Sequence, residues 1–177
     1  VWVELSGQGC RTFESLSAKS WDDLFQWITV QQLKITRLDV AFDDHTGVLD
    51  IDQIVGDTRR KHYVSRSDYW ETVLSSKGST VQIGSPQSKV LVRIYDKAAE
   101  RHCEPGTHWV RVEMQLRDDR AIQYSKIPLS IGEAFSGVLL NYLRYVIPDD
   151  TDSNKWRWPM TDYWLDMLEV LTPIKIY

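Results

Sequence analysis

Three stretches of the 177-residue chain carry an arginine followed, two residues later, by an oxygen-bearing side chain that could take part in chemistry. The pairs are Arg37 with Asp39, Arg93 with Tyr95, and Arg111 with Glu113. A spacing of two residues places both members of a pair on one face of a β-strand. If the three strands are neighbours in a sheet, then one phenol, two carboxylates and three guanidinium groups share a surface.

This set of side chains suits phosphodiester chemistry. Asp39 and Glu113 can bind a hard divalent cation such as Mg²⁺ or Mn²⁺ through oxygen, and cations offset charge that develops on a phosphoryl group. Tyr95 supplies the nucleophile. Because a free phenol has a pKa of about 10, Arg93, Lys97 and a metal would help to form its phenolate. A covalent phosphotyrosine conserves the phosphodiester, so the pattern predicts nicking and rejoining rather than digestion.

A purely structural interpretation of the same residues stays open. Ion pairs across neighbouring strands stabilise a solvated sheet face by a fraction of a kcal/mol each, about 0.2–1 kcal/mol. On that interpretation the chain is a DNA-binding module without turnover. A tyrosine surrounded by cations is not needed on a solvated face, which favours the chemical interpretation.

The strands that must position these residues are predicted at 35–44, 89–97 and 109–117. Each alternates with period two, so that its apolar side chains share the face opposite the charged ones. Residues 80–84 are predicted to pair with 89–97 through a turn at 85–88. Residues 1–6 also alternate and predict a strand, followed by a turn at 7–9.

Four helices are predicted from their caps and apolar stripes. Ser20 with Asp23 and Ser130 with Glu133 are capping-box pairs. Two further helices start at Asp50 and near Thr161. The helix after Ser130 is predicted to run through Val146 to a stop at Pro148, and 149–158 to be a loop. The fold class predicted is α+β, a curved, mainly antiparallel sheet with helices packed on one face and an open polar catalytic face.

Composition limits the class of protein. Hydrophobic residues make up 42% and charged residues 26%, which indicates one globular domain rather than a disordered chain. No apolar run reaches the roughly 18 residues of a membrane span. Two cysteines without a C-x-x-C pair favour a reducing, cytoplasmic setting and argue against a zinc site. The net charge of −4 argues against nucleic-acid binding by bulk charge but leaves a local basic groove open.

Four runs of residues resemble the Rep-trans family, which contains rolling-circle replication initiators of Gram-positive plasmids and MobT relaxases of integrative and conjugative elements. The runs are SGQGCRTFE (6–14), ITRLDVAFDD (35–44), VQIGSPQSKVLVRIYDKAAER (81–101) and WVRVEMQLRDDR (109–120). They span residues 6 to 120, and RIYDKAAER is fairly specific. The tail NKWRWPMTDYW (154–164) looks more like the conjugative branch, which favours a relaxase.

The resemblance implies an enzyme that nicks one strand at an origin and stays linked to the 5′-phosphate through a tyrosine, with help from a divalent metal. The motif tyrosine corresponds to Tyr95, and the acidic positions of T-R-L-D and R-V-E correspond to Asp39 and Glu113. Lys97 and Glu100 fall in the same Y-D-K-x-x-E run. The paired metal-binding histidines of better-known relaxases are absent, because the four histidines are scattered, so carboxylates would dominate a metal shell.

Arg37 and Arg111 are predicted to contact DNA, by gripping the phosphate or by orienting the carboxylates, and several other residues are candidates for contact with DNA. Arg59, Arg60 and Lys61 could grip a DNA backbone, although a cationic last turn is also favoured by the helix dipole. Three tryptophans could stack on unpaired bases or serve as core instead: Trp109, Trp156 and Trp158.

We therefore expect residues 1–177 to form one catalytic relaxase domain of a longer chain, with a possible N-terminal DNA-binding module missing. The expected partner is origin DNA, single-stranded or extruded at the nick site, with no membrane. A homodimer and a helicase or other transfer proteins are further possible partners. Three alternatives are a plasmid or phage replication initiator, the non-catalytic module and a hydrolytic nuclease.

Overall fold

The computed structural model describes residues 2–171 and is built around an antiparallel sheet. The strands of that described range are β1 (Arg37–Asp44), β2 (Tyr63–Ser65), β3 (Trp70–Ser75), β4 (Gly78–Ile83), β5 (Val90–Asp96), β6 (Val110–Arg117) and β7 (Leu143–Tyr145). Five of them form one open sheet in the order β1-β6-β5-β4-β3, with antiparallel neighbours throughout. Strands β2 and β7 form a separate antiparallel pair. The three strands predicted to carry the chemistry are therefore adjacent or next-but-one.

The described range also contains seven α-helices. They are α1 (Gly7–Leu16), α2 (Trp21–Val30), α3 (Ile51–Arg59), α4 (Lys97–Glu100), α5 (Asp119–Tyr124), α6 (Ile131–Tyr142) and α7 (Asp162–Leu171), with a 3₁₀ turn at Lys155–Arg157. Both predicted capping boxes are formed, at Ser20 with Asp23 and at Ser130 with Glu133. None of the helices within residues 2–171 is long and apolar enough to cross a membrane.

The core lies between one face of the sheet and helices α3, α6 and α7. Strands β4, β5 and β6 contribute alternate apolar side chains to it, and Phe135, Leu139 and Trp164 of the helices pack against them. The apolar side chains that recur every second residue on the strands and about every 3.6 residues on the helices thus pack together in one layer. The predicted α+β class is confirmed, and the opposite face of the sheet carries most of the charged side chains of β1, β5 and β6.

Three local predictions are wrong, and the first is the turn predicted at 7–9, which is instead the start of helix α1. Residues 2–6 form no strand, because Ser6 caps α1 by accepting a hydrogen bond from the Gly9 N–H at 3.3 Å, and Trp2 and Val3 stay exposed. The helix after Ser130 ends at Tyr142, not at Pro148. Leu143 turns to an extended backbone and pairs with Ser65 of β2, so this sheet partner overrides the apolar helical pattern that continues to residue 146.

Candidate active site on the polar face of the sheet

The register of the strands arranges the polar side chains in rows across the sheet. In one row Asp43 of β1 faces Arg111 of β6, which faces Tyr95 of β5. In the next row Glu113 lies between Ala41 and Arg93. We call this surface the polar face; its members on the three strands are Arg37, Asp39, Asp43, Arg93, Tyr95, Arg111, Glu113, Gln115 and Arg117.

Tyr95 is held as a neutral phenol at the centre of the polar face. Its hydroxyl donates a hydrogen bond to Oε2 of Glu113 at 3.1 Å. Partial burial and the negative charge of Glu113 raise the pKa of Tyr95, and the nearby Arg111 guanidinium opposes them only in part. In the free protein, the nearby cations lower the pKa of Tyr95 less than burial and Glu113 raise it.

Glu113 joins the nucleophile candidate to an arginine. One carboxylate oxygen accepts from Tyr95, and the other forms an ion pair with Nη2 of Arg93, directly opposite on β5. The Glu113 side chain is only 12% exposed. Because both oxygens are engaged, Glu113 has a fixed orientation.

Arg111 is held by a carboxylate on its other side. Its Nε and Nη2 donate to the two oxygens of Asp43, each at 2.7 Å. The indole Nε1 of Trp109 donates to Oδ1 of the same Asp43 at 2.6 Å. Burial alone would raise the pKa of Asp43, but these donors outweigh it and the pKa is lowered.

Lys97 lies almost fully buried beside the same tyrosine. Its Nζ is 5.4 Å from the centre of the Tyr95 ring and forms an ion pair with Glu100. Asp96 caps the short helix α4 by accepting from the Ala99 N–H at 2.8 Å. The Y-D-K-x-x-E run therefore places the phenol at the end of β5 and the ammonium at the first residue of the helix that follows.

Asp39 is more exposed and is paired within its own strand. Arg37 donates Nε and Nη2 to its two oxygens at 2.8 and 2.5 Å. Register places Asp39 opposite Gln115 and diagonally next to Glu113. Gln115 is 4% exposed, and its amide nitrogen has no hydrogen-bond partner among the described residues.

The donor set on the polar face is compatible with a hard divalent cation. Asp39 and Glu113 offer carboxylate oxygens from adjacent strands on one face, and each is already paired with an arginine. Residues 2–171 contain no group of three or more histidine, cysteine or acidic side chains that could hold a metal. A cation at this place would therefore compete with Arg37 and Arg93 for its two carboxylates.

The other predicted DNA contacts lie away from the polar face. Arg59 of α3 donates to Thr72 at 3.2 Å, and Thr72 is in register with the core residue Val81 on the helix-covered side. Arg60 pairs with Asp57 of its own helix at 2.8 Å, and Lys61 follows it with a positive φ of 57°.

The three candidate tryptophans are separated. Trp109 lies beside the polar face, with its ring 5.0 Å from that of His45. Trp156 lies in the 3₁₀ turn and Trp158 directly follows it. Arg144 lies 5.1 Å from the ring centre of Trp156, and Lys155 lies 5.2 Å from that of Trp158.

Asp43 and Gln115 are the site neighbours that sequence reasoning left without a role. Alternation indicates that both face the polar side, but only the register shows that Asp43 meets Arg111 and that Gln115 lies opposite Asp39. A strand pattern alone does not specify its register.

Comparisons with known proteins agree on one family. The profile of Rep_trans, described as replication initiation factor, matches residues 33–177. The protein "Putative DNA relaxase NicK" of Bacillus subtilis (strain 168) is 29% identical over 198 residues, which cover 100% of this chain and 55% of that protein. The chain thus spans about half the length of this curated relative.

A solved structure is also similar. It is the rolling circle replication initiator protein from Geobacillus stearothermophilus, which superposes with a TM-score of 0.84 at 34% sequence identity. The match covers 97% of this chain and 69% of that one, so it includes the sheet and the polar face.

Proposed function

Because this chain belongs to the Rep_trans family of replication initiation factors, we propose that it nicks one DNA strand at a specific site and keeps the cut end on Tyr95. The observation that carries this proposal is the position of the Tyr95 hydroxyl, which lies 3.1 Å from Glu113 and in register with Arg111. In a phosphoryl transfer to tyrosine, the phenol can act as the nucleophile, the partly buried carboxylate can accept its proton, and the fixed guanidinium can offset charge on the phosphoryl group.

In the proposed step the Tyr95 oxygen attacks the phosphorus and the bond from phosphorus to the 3′-oxygen breaks. The 5′-phosphate stays on the tyrosine, and the departing 3′-oxygen takes up a proton from water, so that the strand leaves with a free 3′-hydroxyl. Glu113 is placed to accept the phenolic proton, while Arg111 faces the charge that develops on the phosphoryl oxygens. The reverse reaction with a second 3′-hydroxyl rejoins the strand.

Supporting roles follow from the same contacts. Arg93 orients Glu113 through their ion pair, and the buried Lys97 ammonium adds positive charge beside the Tyr95 ring. A divalent cation, Mg²⁺ or Mn²⁺, would be held by Asp39 and Glu113. When bound, it would offset negative charge on the scissile phosphate.

The direct test uses a random-sequence pool of single-stranded DNA that carries a label at its 3′ end. Incubation with Mn²⁺ should give a labelled protein band on a denaturing gel, because the 3′ fragment remains on the tyrosine. Sequencing the captured fragments would identify the nick site.

Controls separate the nucleophile from other tyrosines. Tyr95→Phe should abolish the band, whereas Tyr69→Phe, at an exposed tyrosine just before β3, should leave it unchanged. A band of normal intensity from Tyr95→Phe would reject the assignment. Released fragments without a protein adduct would indicate a hydrolytic nuclease, and binding without any product would indicate a non-catalytic module.

We propose the relaxase of a conjugative element as the biological role, acting in the cytoplasm on its origin of transfer. The similarity to NicK covers the whole chain, and the 154–164 tail favours the same branch. A rolling-circle replication initiator is the second candidate, favoured by the 34% identity to such a protein of known structure. Transfer and replication assays with an origin-bearing plasmid would distinguish them, with a homodimer and a helicase as partners to be sought in both.

A further inference from the structure

We propose that Asp43 and Trp109 are positioning residues that hold the Arg111 guanidinium beside the Tyr95 hydroxyl during strand cutting. The inference rests on the proposed function and deepens it, because it assigns a role to two residues that touch neither the phenol nor the predicted metal ligands. It is carried by the cross-strand row that runs from Asp43 through Arg111 to Tyr95.

The contacts of Asp43 leave the Arg111 side chain little freedom. Two parallel hydrogen bonds of 2.7 Å fix the plane of the guanidinium. The Trp109 indole donates into the same carboxylate at 2.6 Å, so Asp43 is itself held from a second direction. An arginine side chain without such partners would lose substantial rotamer entropy when it binds a phosphate in one geometry. Arg111 has already lost this entropy when the protein folds.

Asp43 does not engage all the donors of Arg111, and the guanidinium also interacts with the Tyr95 hydroxyl. A guanidinium carries about five N–H groups, and Asp43 accepts from two of them. Arg111 stands directly opposite Tyr95 in the register of β5 and β6. A positive group fixed at that place stabilises charge on the phosphoryl oxygens without having to reorganise at the moment of reaction.

Trp109 ties this support to the strand that carries the nucleophile. Its carbonyl accepts hydrogen bonds from the N–H groups of Lys97 at 2.8 Å and Ala98 at 3.1 Å. These two residues start α4, just after Tyr95 and Asp96. Trp109 therefore holds Asp43 with its side chain and binds the first residues of α4, directly after β5, with its backbone carbonyl.

The first test compares isosteric variants in single-turnover adduct formation on the 3′-labelled random single-stranded pool. Asp43→Asn should slow adduct formation about tenfold to a hundredfold, the scale of a small misplacement of a catalytic group. Its affinity for the DNA should be equal or tighter, because one negative charge has left the DNA-facing surface. Loss of rate together with equal or gained affinity is not expected of a merely structural residue.

A matched control removes the same charge from the same face. Glu71 of β3 lies on the polar side, opposite Gln82, and its carboxylate accepts a hydrogen bond from the Tyr69 hydroxyl at 3.3 Å. Glu71→Gln should keep the wild-type rate. Trp109→Phe keeps an aromatic ring but removes the N–H donor together with part of the indole, so it should also slow the reaction. It provides a second test should Asp43→Asn fold poorly.

Chemical rescue separates positioning from stability. Arg111→Ala should be slow, and guanidinium ion added to the solution should restore part of its rate. In Arg111→Ala, adding Asp43→Asn should cause little further loss and should abolish the rescue, because the carboxylate that would seat the ion is gone.

Three outcomes would overturn the inference: a wild-type rate in Asp43→Asn, losses of Asp43→Asn and Arg111→Ala that multiply, or full rescue in the double variant. A wild-type protein that forms no adduct at all would instead defeat the proposed function.

Discussion

The hydroxyl of Tyr95 and the carboxylate of Glu113 meet at 3.1 Å across the neighbouring strands β5 and β6. They are diagonal rather than direct partners in the register, since Tyr95 stands opposite Arg111 and Glu113 opposite Arg93. The acid therefore reaches the phenol while an arginine faces each of them. Burial and this acid raise the pKa of Tyr95, so the phenol keeps its proton in the free protein at neutral pH.

Glu113→Gln should slow adduct formation by about 10² or more, the usual contribution of a positioned general base. The amide keeps the size of the side chain but loses the charge that accepts the phenolic proton. Single-turnover gels with Tm measurements on the same samples provide the check. A rate within twofold of wild type would show that the contact with Tyr95 has no part in the chemistry.

Mn²⁺ affinity should depend on both predicted metal ligands. Asp39→Asn and Glu113→Gln should each weaken Mn²⁺ binding at least about tenfold, measured by calorimetry or electron paramagnetic resonance without DNA. Arg37→Ala should act in the opposite direction, because it frees Asp39 from its ion pair. Asp150→Asn, at an exposed acid elsewhere, serves as the control. Equal affinity in all four variants would place any bound metal elsewhere.

Asp44 should contribute stability that depends on pH. Burial alone would raise its pKa, but N–H groups of Leu49 and Thr46, the Thr46 hydroxyl and His108 outweigh burial and lower the pKa to about 2. The pKa of Asp44 in the folded protein lies below its pKa of about 4 in the unfolded chain. The stabilisation is therefore complete when the pH is above the unfolded pKa. It is lost as the pH falls through the folded one.

Asp44→Asn should therefore lower the free energy of unfolding by about 1–3 kcal/mol at neutral pH, and the difference should shrink in acid. Urea unfolding at neutral pH and at a pH between the two pKa values is the measurement. A penalty that does not change with pH would mean that packing, not the charge, is responsible.

Two glycines should respond to alanine with opposite signs. At Gly84 the backbone has a φ of +102°, and an added Cβ would lie 2.7 Å from both the Tyr142 hydroxyl oxygen and the Val90 carbonyl oxygen. Gly84→Ala should thus destabilise by about 1–3 kcal/mol or more. Gly137 of α6 has open space around it, so Gly137→Ala should stabilise by about 0.5–1 kcal/mol. The midpoints of urea unfolding of the two variants are the measurement. Destabilisation by both substitutions would contradict this prediction.

Elements with strong local signals could be predicted from the sequence. The capping boxes at Ser20 and Ser130 and the alternation of β1, β5 and β6 need no distant information, and all of them form. The failure at 143–146 has a non-local cause, because Leu143 leaves the helix to pair with Ser65, far away along the chain.

The pairing of charges on the polar face could not be read from spacing alone. Arg37 does bind the acid two residues ahead, but Arg93 binds Glu113 and Arg111 binds Asp43, each on another strand. Which partner an arginine finds depends on strand order and register, and both are properties of the assembled sheet. The alternation of polar and apolar residues shows only which side chains lie on one face, not which of them form ion pairs.

Three of the four arginines of the polar face are each paired with a carboxylate, at Asp39, Glu113 and Asp43, and the fourth is Arg117. The surface is therefore close to electroneutral before DNA arrives, and it attracts few condensed anions from solution. On the proposed function, such a surface offers little net positive charge to DNA, so it would displace few of the cations condensed along the DNA. Affinity should consequently fall less steeply with ionic strength than the count of arginines would suggest, so recognition would depend on the shape of the strand more than on bulk attraction.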